Sequence, residues 1–264
     1  MHLKRWLTAL IFLPIVIYII GFSPPCGFYL FITMIMLISL YEFFNITKCF
    51  PLVFPLCFYF LSILMVLLLL NTSLYLLPFI ISCFVIFPML LCILQSYDPK
   101  PALFENIAKG LLGLVYISLP LWMLMIIYKH PYGKVWIFFL LWLIILDDTG
   151  AFYFGRILGK HHLHKKISPK KTWEGSLGGL VCSTIGAFVY LRIFKLCPIS
   201  YNIFFLVILL SIMGQIGDLA ESLIKRCYGV KDSGKILPGH GGLLDRIDSF
   251  LFTIPILYGY MMWK

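Results

Sequence analysis

The chain has 264 residues, of which 61% are hydrophobic and 12% are charged, and its formal net charge is +10 at pH 7. A soluble domain has about 25% charged residues, and a soluble core of this length cannot bury so much apolar surface, whereas lipid can. The composition therefore excludes an ordinary soluble protein and predicts an all-α, polytopic integral membrane protein. The basic excess favours a lipid bilayer with anionic headgroups or a phosphorylated substrate over nucleic acid, because the basic loops lie between apolar spans.

Predominantly apolar runs about long enough to cross a bilayer predict nine transmembrane helices. In chain order they cover residues 6–20, 28–44, 51–70, 74–94, 108–128, 135–154, 175–191, 202–219 and 247–263. The first run follows a basic start that resembles a signal peptide. It is long and has no clear small-residue cleavage site after it, so it is interpreted as the first span.

The distribution of basic residues predicts the orientation. With the N-terminus in the cytoplasm, the cytoplasmic segments contain 16 of the 21 lysines and arginines, and the opposite side contains five. Cytoplasmic loops are enriched in Lys and Arg, so we expect a multi-pass protein whose loops 156–174 and 220–246 face the cytoplasm. The lack of an organellar presequence favours a bacterial inner membrane. We expect residues 1–106 to form a scaffold and residues 107–264 a catalytic region.

Acidic residues are the sharper signal, since eight of the eleven lie between positions 147 and 248. Several fall within or at the ends of apolar spans, where an ionised carboxylate is costly unless it is paired or bound to a metal. At the end of the eighth span, one helix face would present Asp218, Glu221, Ser222 and Lys225. This arrangement predicts a metal-binding carboxylate with phosphate-binding cations; the alternative is a solvated helix end with an internal ion pair.

A second pair of carboxylates, Asp245 and Asp248, is three residues apart at the start of the ninth span. Carboxylates on two different spans suit Mg²⁺, which accepts phosphate oxygens as further ligands. Between the two helices, residues 229–244 form a glycine-rich loop whose N–H groups could reach phosphate oxygens. Lys231, Lys235 and His240 would add charge or donors there.

The loop 156–174 is strongly basic, and its first part is typical of an anchor on anionic headgroups. Lys170 and Lys171 precede a predicted helix start at Gly175, and lysines near a helix N-terminus suit a phosphate group. Asp147 and Asp148 lie inside an apolar helix just before this loop, where they would bind a cation or pair with its lysines. The cysteines form no Cys-x-x-Cys pair and give little support to a zinc or redox site.

Several carboxylates and many cations at one membrane surface favour transfer of a phosphoryl or nucleotidyl group. The residues also indicate a family. Segment 222–248 contains Ser-x-x-Lys-Arg, then Lys-Asp, then Pro-Gly-His-Gly-Gly, then Asp-Arg-x-Asp. It closely resembles the signature of the phosphatidate cytidylyltransferases, also called CDP-diacylglycerol synthases. Segments 148–155, 168–172 and 217–222 resemble other parts of that family, so the specific resemblance covers about residues 147–249.

The resemblance implies that CTP and phosphatidate react to give CDP-diacylglycerol and pyrophosphate. It implies a metal at Asp218 and Asp245, with Mg²⁺ and a possible second cation, and it suggests a homodimer. The other catalytic candidates are Asp248, Lys225, Arg226 and Asp148. The substrate-binding candidates are Lys170, Lys171, Ser222, Lys231, Asp232, His240 and Arg246.

Three other interpretations remain at this point. A CTP-dependent polyprenol kinase would use the same nucleotide at the same membrane face, although the signature fits the cytidylyltransferase better. An ion-coupled transporter would also place acids in the membrane, but nearer its midplane and at repeated breaks. A basic scaffold that only binds anionic lipid would tolerate Asp218→Asn.

Overall fold

The computed structural model describes residues 14–49, 53–70, 86–90, 93, 101–196, 198, 200–236 and 241–263. These residues are mostly helical, and a single two-stranded sheet accompanies the helices within the described part of the chain. The labelled helices are α1 Pro25–Thr47, α2 Val53–Leu70, α3 Pro101–Gly113, α4 Leu119–Lys129, α5 Gly133–Leu158, α6 Trp173–Phe194, α7 Tyr201–Cys227 and α8 Leu244–Trp263. Residues 14–21 are also helical.

Five helices in the described residues are long and apolar enough to cross a membrane. They are Pro25–Thr47, Leu103–Lys129, Gly133–Leu158, Trp173–Phe194 and Tyr201–Cys227, and Phe54–Leu68 is a shorter apolar helix. The chain is therefore an integral membrane protein by helix length and composition. Helix α8 corresponds to the predicted ninth span but is not among the five. Most of the predicted first and fourth spans lies outside the described residues, so the count of nine and the orientation stay predictions.

Two helices extend beyond the apolar runs that predicted them. The sequence predicts an eighth span ending near residue 219, but α7 continues to Cys227. Likewise α5 continues to Leu158 rather than ending near residue 154. The reason is that hydropathy marks only the lipid-facing part of a helix, whereas backbone hydrogen bonding continues into polar sequence. The prediction that Asp218 and Lys225 share one helix is thereby confirmed.

The basic loop between α5 and α6 contains an antiparallel hairpin that the sequence analysis did not predict. Strands β1 (His162–His164) and β2 (Ser168–Thr172) pair with His162 opposite Thr172 and His164 opposite Ser168. The N–H of Trp173 donates to the carbonyl of His161 at 2.9 Å, which closes the hairpin against the start of α6. The predicted all-α fold therefore lacks this small sheet. The sequence did not reveal it, because strands of three to five residues with few apolar positions give no hydropathy signal.

Helices α5 and α6 pack closely along glycines of α6. A Cβ on Gly178 would lie 2.4 Å from Cβ of Phe154, and one on Gly179 would lie 2.7 Å from the carbonyl oxygen of Asp147. Small residues at such positions let helix backbones approach each other in membranes. The close packing brings the acidic end of α5 beside α6.

Helices α3 and α4 form one apolar stretch that is interrupted by a π-helical turn, Leu114–Ser118. A π turn inserts an extra residue and rotates the side chains that follow it. Within this turn Ser118 is buried and its hydroxyl lies 2.9 Å from that of Ser62 on α2. Tyr116 in the same turn packs edge-on against Phe252 of α8. The turn thus connects the N-terminal helices to α8.

Candidate functional site

A polar cavity of about 300 Å³ is lined by residues of α5, α7 and α8 and of the loop before α8. It contains six carboxylates, two cations and one hydroxyl: Asp148, Asp218, Glu221, Asp232, Asp245, Asp248, Lys225, Arg246 and Ser249. The carboxylates outnumber the cations three to one. Additional positive charge would therefore favour the entry of an anionic ligand into this cavity.

Lys225 joins α7 to α8 inside the cavity wall. Its Nζ lies 2.6 Å from Oδ1 of Asp245 and also contacts Oε2 of Glu221, one helical turn earlier. The Lys225 residue is only 9% exposed and Glu221 is 1% exposed. A buried ion pair of this kind is costly to break, because the remaining charge loses its partner. The predicted phosphate-binding ammonium is thus already held by two carboxylates.

Asp245 lies at the first turn of α8, ahead of the predicted ninth span, and both its oxygens accept hydrogen bonds. Oδ2 accepts from the N–H of Ser233 at 3.0 Å and from the N–H of Gly242 at 2.8 Å. Burial acts to raise the pKa of Asp245, but its contacts with Glu221 and Lys225 and the Gly242 N–H hold that pKa below its ordinary value. Asp245 is therefore a stable anion that organises the loop before α8.

Asp218 connects α7 to the basic hairpin. Its Oδ2 lies 2.5 Å from Nζ of Lys171 on β2, and the hydroxyl of Ser222 lies 3.5 Å from its Oδ1. Lys171 and Asp218 side chains are 28% and 34% exposed, so water still reaches the pair. The sequence analysis placed both residues in the site separately, and the structure brings them into direct contact.

The adjacent acids of α5 have different environments. Oδ1 of Asp147, which is 4% exposed, accepts from the hydroxyls of Ser183 and Ser211 and from Nε2 of Gln215 at 3.1 Å. Asp148 lines the cavity and interacts electrostatically with Asp218. Successive helical residues point about 100° apart, and of the two only Asp148 lines the polar cavity. Hydroxyl and amide donors, not the predicted lysines, satisfy Asp147.

Glu42 of α1 is a buried carboxylate that the candidate site did not include. It is 1% exposed and accepts from the N–H groups of Leu243 at 3.0 Å and Leu244 at 2.8 Å. The hydroxyl of Ser233 donates to its Oε2 at 3.1 Å. A charged residue inside an apolar span was a signal available in the sequence, but its partners are about 200 residues away along the chain.

Four N–H groups in the described part of the glycine-rich loop have acceptors within the protein. The N–H groups of Ser233 and Gly242 donate to Asp245, and those of Leu243 and Leu244 donate to Glu42. These four groups bind protein carboxylates and do not form the predicted phosphate cradle. Gly241 adopts a left-handed conformation with φ +84°, which glycine tolerates without a steric penalty.

The start of α6 is also capped by the protein itself. The helix begins at Trp173, two residues before the predicted start, and the hydroxyl of Thr172 accepts from the N–H of Gly175 at 3.1 Å. Glu174 turns back and accepts from the N–H groups of Lys160 and His161. A side-chain cap therefore satisfies the N–H of Gly175, while the predicted phosphate contacts of Lys170 and Lys171 stay predictions.

The remaining predicted site residues differ in whether they line the cavity. Arg226 is exposed and donates to the carbonyls of Ile167 and Val230. Lys170 and Lys231 are exposed and do not line the cavity, whereas Asp232 and Arg246 do. The prediction for His240 lies outside the described residues.

Tyr116 is a second residue that the sequence analysis missed. It is 9% exposed, and its hydroxyl has no hydrogen-bond partner among the described residues. Its ring packs edge-on against Phe252 of α8, the helix that also carries Asp248. The direction in which the Tyr116 side chain points depends on the π-helical turn, and local sequence does not reveal that turn.

The cavity carboxylates are the groups that could hold a divalent cation. No cluster of three or more acidic, His or Cys side chains among the described residues is arranged as a ready metal cage. Mg²⁺ binds through one or two carboxylates together with waters and substrate phosphates. Carboxylates of α7 and α8 that line one cavity fit an ion that takes its remaining ligands from waters and a phosphorylated substrate.

Comparison with known proteins identifies a family and several relatives. The family model described as "Cytidylyltransferase family" matches residues 3–263. A phosphatidate cytidylyltransferase of Staphylococcus saprophyticus is 44% identical over 155 residues, which is 58% of each chain. Those of Staphylococcus haemolyticus and Staphylococcus aureus are 51% identical over 125 residues and 49% identical over 128 residues. Both of these matches cover 47% of this chain and 48% of the relative. The chain thus spans about half the length of the relatives it matches.

Proposed function

We propose that this chain, which belongs to the cytidylyltransferase family, converts CTP and phosphatidate into CDP-diacylglycerol and pyrophosphate. The observation that supports this proposal most is the acidic cavity between α5, α7 and α8. Its lining consists of seven of the predicted site residues together with Glu221 and Ser249. The relatives named phosphatidate cytidylyltransferase support the same reaction.

The proposed transfer of the cytidylyl group needs no covalent enzyme intermediate. A phosphate oxygen of phosphatidate forms a bond to the α-phosphorus of CTP. The bond from that phosphorus to the oxygen that bridges to the β-phosphate breaks, and pyrophosphate leaves with its electron pair. No residue needs to remove a proton from the attacking group, because phosphatidate is already anionic near neutral pH.

Mg²⁺ is proposed as the cofactor, with a second cation as a further possibility. Asp218 and Asp245 are the proposed ligands, and Asp248 is the neighbouring carboxylate. When bound, the ion would neutralise negative charge that builds up on the transferring phosphate. Since Asp245 already accepts from Lys225 and two N–H groups, these donors hold its carboxylate in a defined orientation.

The cations have separate proposed roles. Lys225 contacts both Glu221 and Asp245 and offsets part of the negative charge of the cavity, and Arg246 is the cavity's exposed cation for a phosphate group. Lys171 reaches the site through Asp218. The remaining proposed binding groups are Asp232, which lines the cavity, and Lys170, Ser222, Arg226 and Lys231, which do not. His240 is also proposed, and it lies outside the described residues.

The proposed setting is a bacterial inner membrane, with the cavity facing the cytoplasm. The basic residues of the 156–174 and 220–246 loops support this orientation, and the hairpin exposes Lys165 and Lys166. A homodimer is proposed from the family resemblance alone.

The reaction is tested with purified protein, phosphatidate-containing micelles and Mg²⁺. Label from [α-³²P]CTP should appear in a chloroform-soluble product, and only when phosphatidate is present. Asp218→Ala and Asp245→Ala should abolish it. Glu105→Ala, an exposed carboxylate on α3, should retain wild-type activity. Removal of Mg²⁺ with EDTA should stop transfer, and added Mg²⁺ should restore it.

The position of the label separates the alternatives. A CTP-dependent lipid kinase would transfer label from [γ-³²P]CTP to a polyprenol and none from [α-³²P]CTP. No lipid label from either nucleotide, with folded wild-type protein, would overturn the proposal and direct attention to ion transport or lipid binding.

A further inference from the structure

We propose that Glu42 is a positioning residue for the transfer reaction, because it connects the N-terminal helices to the acidic cavity. This inference rests on the proposed function for its kinetic test, while its contacts can be tested independently of activity.

Glu42 lies in α1, inside an apolar span where an ionisable side chain is costly. Its carboxylate is 1% exposed and contacts the loop before α8, about 200 residues later in the chain. The two N–H donors, Leu243 and Leu244, are at the start of α8. A carboxylate at a helix N-terminus satisfies free N–H groups and interacts favourably with the helix dipole. Glu42 therefore holds the beginning of α8.

Ser233 extends this contact to the cavity. Its hydroxyl donates to Glu42 at 3.1 Å and accepts from the N–H of Asp245 at 3.3 Å, while its own N–H donates to the Asp245 carboxylate. Asp245 in turn binds Lys225 at 2.6 Å. A continuous chain of hydrogen bonds thus runs from Glu42 through Ser233 to two residues of the cavity wall.

The loop is built closely around the Glu42 carboxylate. A Cβ on Gly234 would lie 2.3 Å from Oε1 of Glu42, and one on Gly242 would lie 2.5 Å from Oε2. Both positions accept only glycine without displacement. The backbone at Gly234 and Gly242 therefore leaves a space that fits the Glu42 carboxylate. This close fit is how an acid of α1 determines the position of Asp245.

The decisive variant is Glu42→Gln, which keeps the size of the side chain and removes its charge. A glutamine can offer one carbonyl oxygen, and its amide group would then face an N–H donor, so at least one of Leu243 and Leu244 loses its acceptor. We expect kcat to fall roughly 10- to 100-fold, the size expected for loss of a charge-assisted hydrogen bond at the site. We also expect half-maximal activity to need more Mg²⁺, since Asp245 is displaced.

The matched control is Ser39→Ala. Ser39 lies on the same helix, one turn before Glu42, is fully buried, and has no hydrogen-bond partner among the described residues. It should leave kcat and the Mg²⁺ requirement unchanged. Activity is expressed per monodisperse, folded protein, so that a loss of folded protein alone does not lower kcat.

Two further measurements distinguish positioning from a general contribution to folding. In hydrogen exchange, the amides of Leu243 and Leu244 should exchange faster in Glu42→Gln than in wild type, with α5 and α6 unchanged. Ser233→Ala should also lower kcat. The fold-decrease in kcat of the Glu42→Gln/Ser233→Ala double variant should be smaller than the product of the fold-decreases of the two single variants, because both substitutions interrupt the same chain of hydrogen bonds.

The outcomes separate this inference from the proposed function. If wild type transfers cytidylyl groups and Glu42→Gln matches it in kcat, Mg²⁺ requirement and exchange, the inference is wrong. If wild type shows no transfer, the proposed function fails, and the exchange measurement alone then decides whether Glu42 holds the start of α8.

Discussion

Lys225 of α7 and Asp245 of α8 are joined by a 2.6 Å contact between Nζ and Oδ1 inside the acidic cavity. Their side chains are 11% and 10% exposed, and Glu221 contacts the same ammonium. The Lys225 ammonium therefore offsets the repulsion between the neighbouring carboxylates of Glu221 on α7 and Asp245 on α8 in the folded protein. Without it, their mutual repulsion would act in a poorly solvated space.

Lys225→Met should destabilise the protein strongly. It leaves Glu221 and Asp245 without their shared cation, which costs about 3 kcal/mol or more. In detergent micelles this should lower Tm by roughly 10 °C, and lipid labelling should be lost. Lys165→Met, on the exposed turn of the hairpin, should change neither quantity. An unchanged Tm for Lys225→Met would contradict the role given to this ion pair.

Lys171 and Lys170 should differ although they are neighbours. Lys171 contacts Asp218, whereas Lys170 is exposed and outside the cavity wall. Because the Lys171–Asp218 pair is reached by water, Lys171→Met should change stability by less than about 1 kcal/mol. Its transfer rate should fall further than that of Lys170→Met. Steady-state kinetics of the two variants test this, and equal effects would favour a nonspecific basic surface.

Asp147 should matter for stability through its three donors. Asp147→Ala leaves Ser183, Ser211 and Gln215 without their common acceptor, at a cost of about 3 kcal/mol. Asp147→Asn keeps an oxygen at the same place and should be milder. Thermal unfolding of both variants in micelles is the measurement. Equal Tm values for the Ala and Asn variants would show that this network contributes little.

The approach of α7 to α8 should depend on one glycine of α7. A Cβ on Gly217 would lie 2.6 Å from the carbonyl oxygen of Asp248, while one on Gly214 would lie 3.5 Å from Cγ2 of Thr253, an ordinary contact. Gly217→Ala should cost about 1–3 kcal/mol through overpacking and should reduce transfer by displacing Asp248. Gly214→Ala should retain stability and activity. A tolerated Gly217→Ala would mean that the two helices can separate without affecting the site.

Tyr116→Phe should not lower stability. The hydroxyl that it removes is buried without a hydrogen-bond partner in the described part of the chain, and such a group costs about 1–3 kcal/mol. The ring contacts with Phe43 and Phe252 remain. A Tm equal to or above that of wild type is expected, and a clear decrease would indicate that a bound molecule satisfies the hydroxyl.

Much of the helical framework and the candidate site could be predicted from local sequence. Apolar runs predict helices because lipid and backbone hydrogen bonding leave few alternatives, and spacing places Asp218 and Lys225 on one face of α7. The hairpin was not predicted because its strands are short and polar. The ends of α5 and α7 were predicted too early because hydropathy does not mark the polar part of a helix.

The sequence by itself determined that this protein is a helical membrane protein whose acids and cations belong to a recognisable family. Only the tertiary structure decided which partner each charge has: Lys225 binds Asp245, Asp147 is satisfied by hydroxyls, and Glu42 holds the start of α8. Composition and periodicity are local properties of the chain, whereas a buried charge is stabilised by donors that packing brings together from distant positions. Glu42 and Leu244 are neighbours only because α1 packs against the loop before α8.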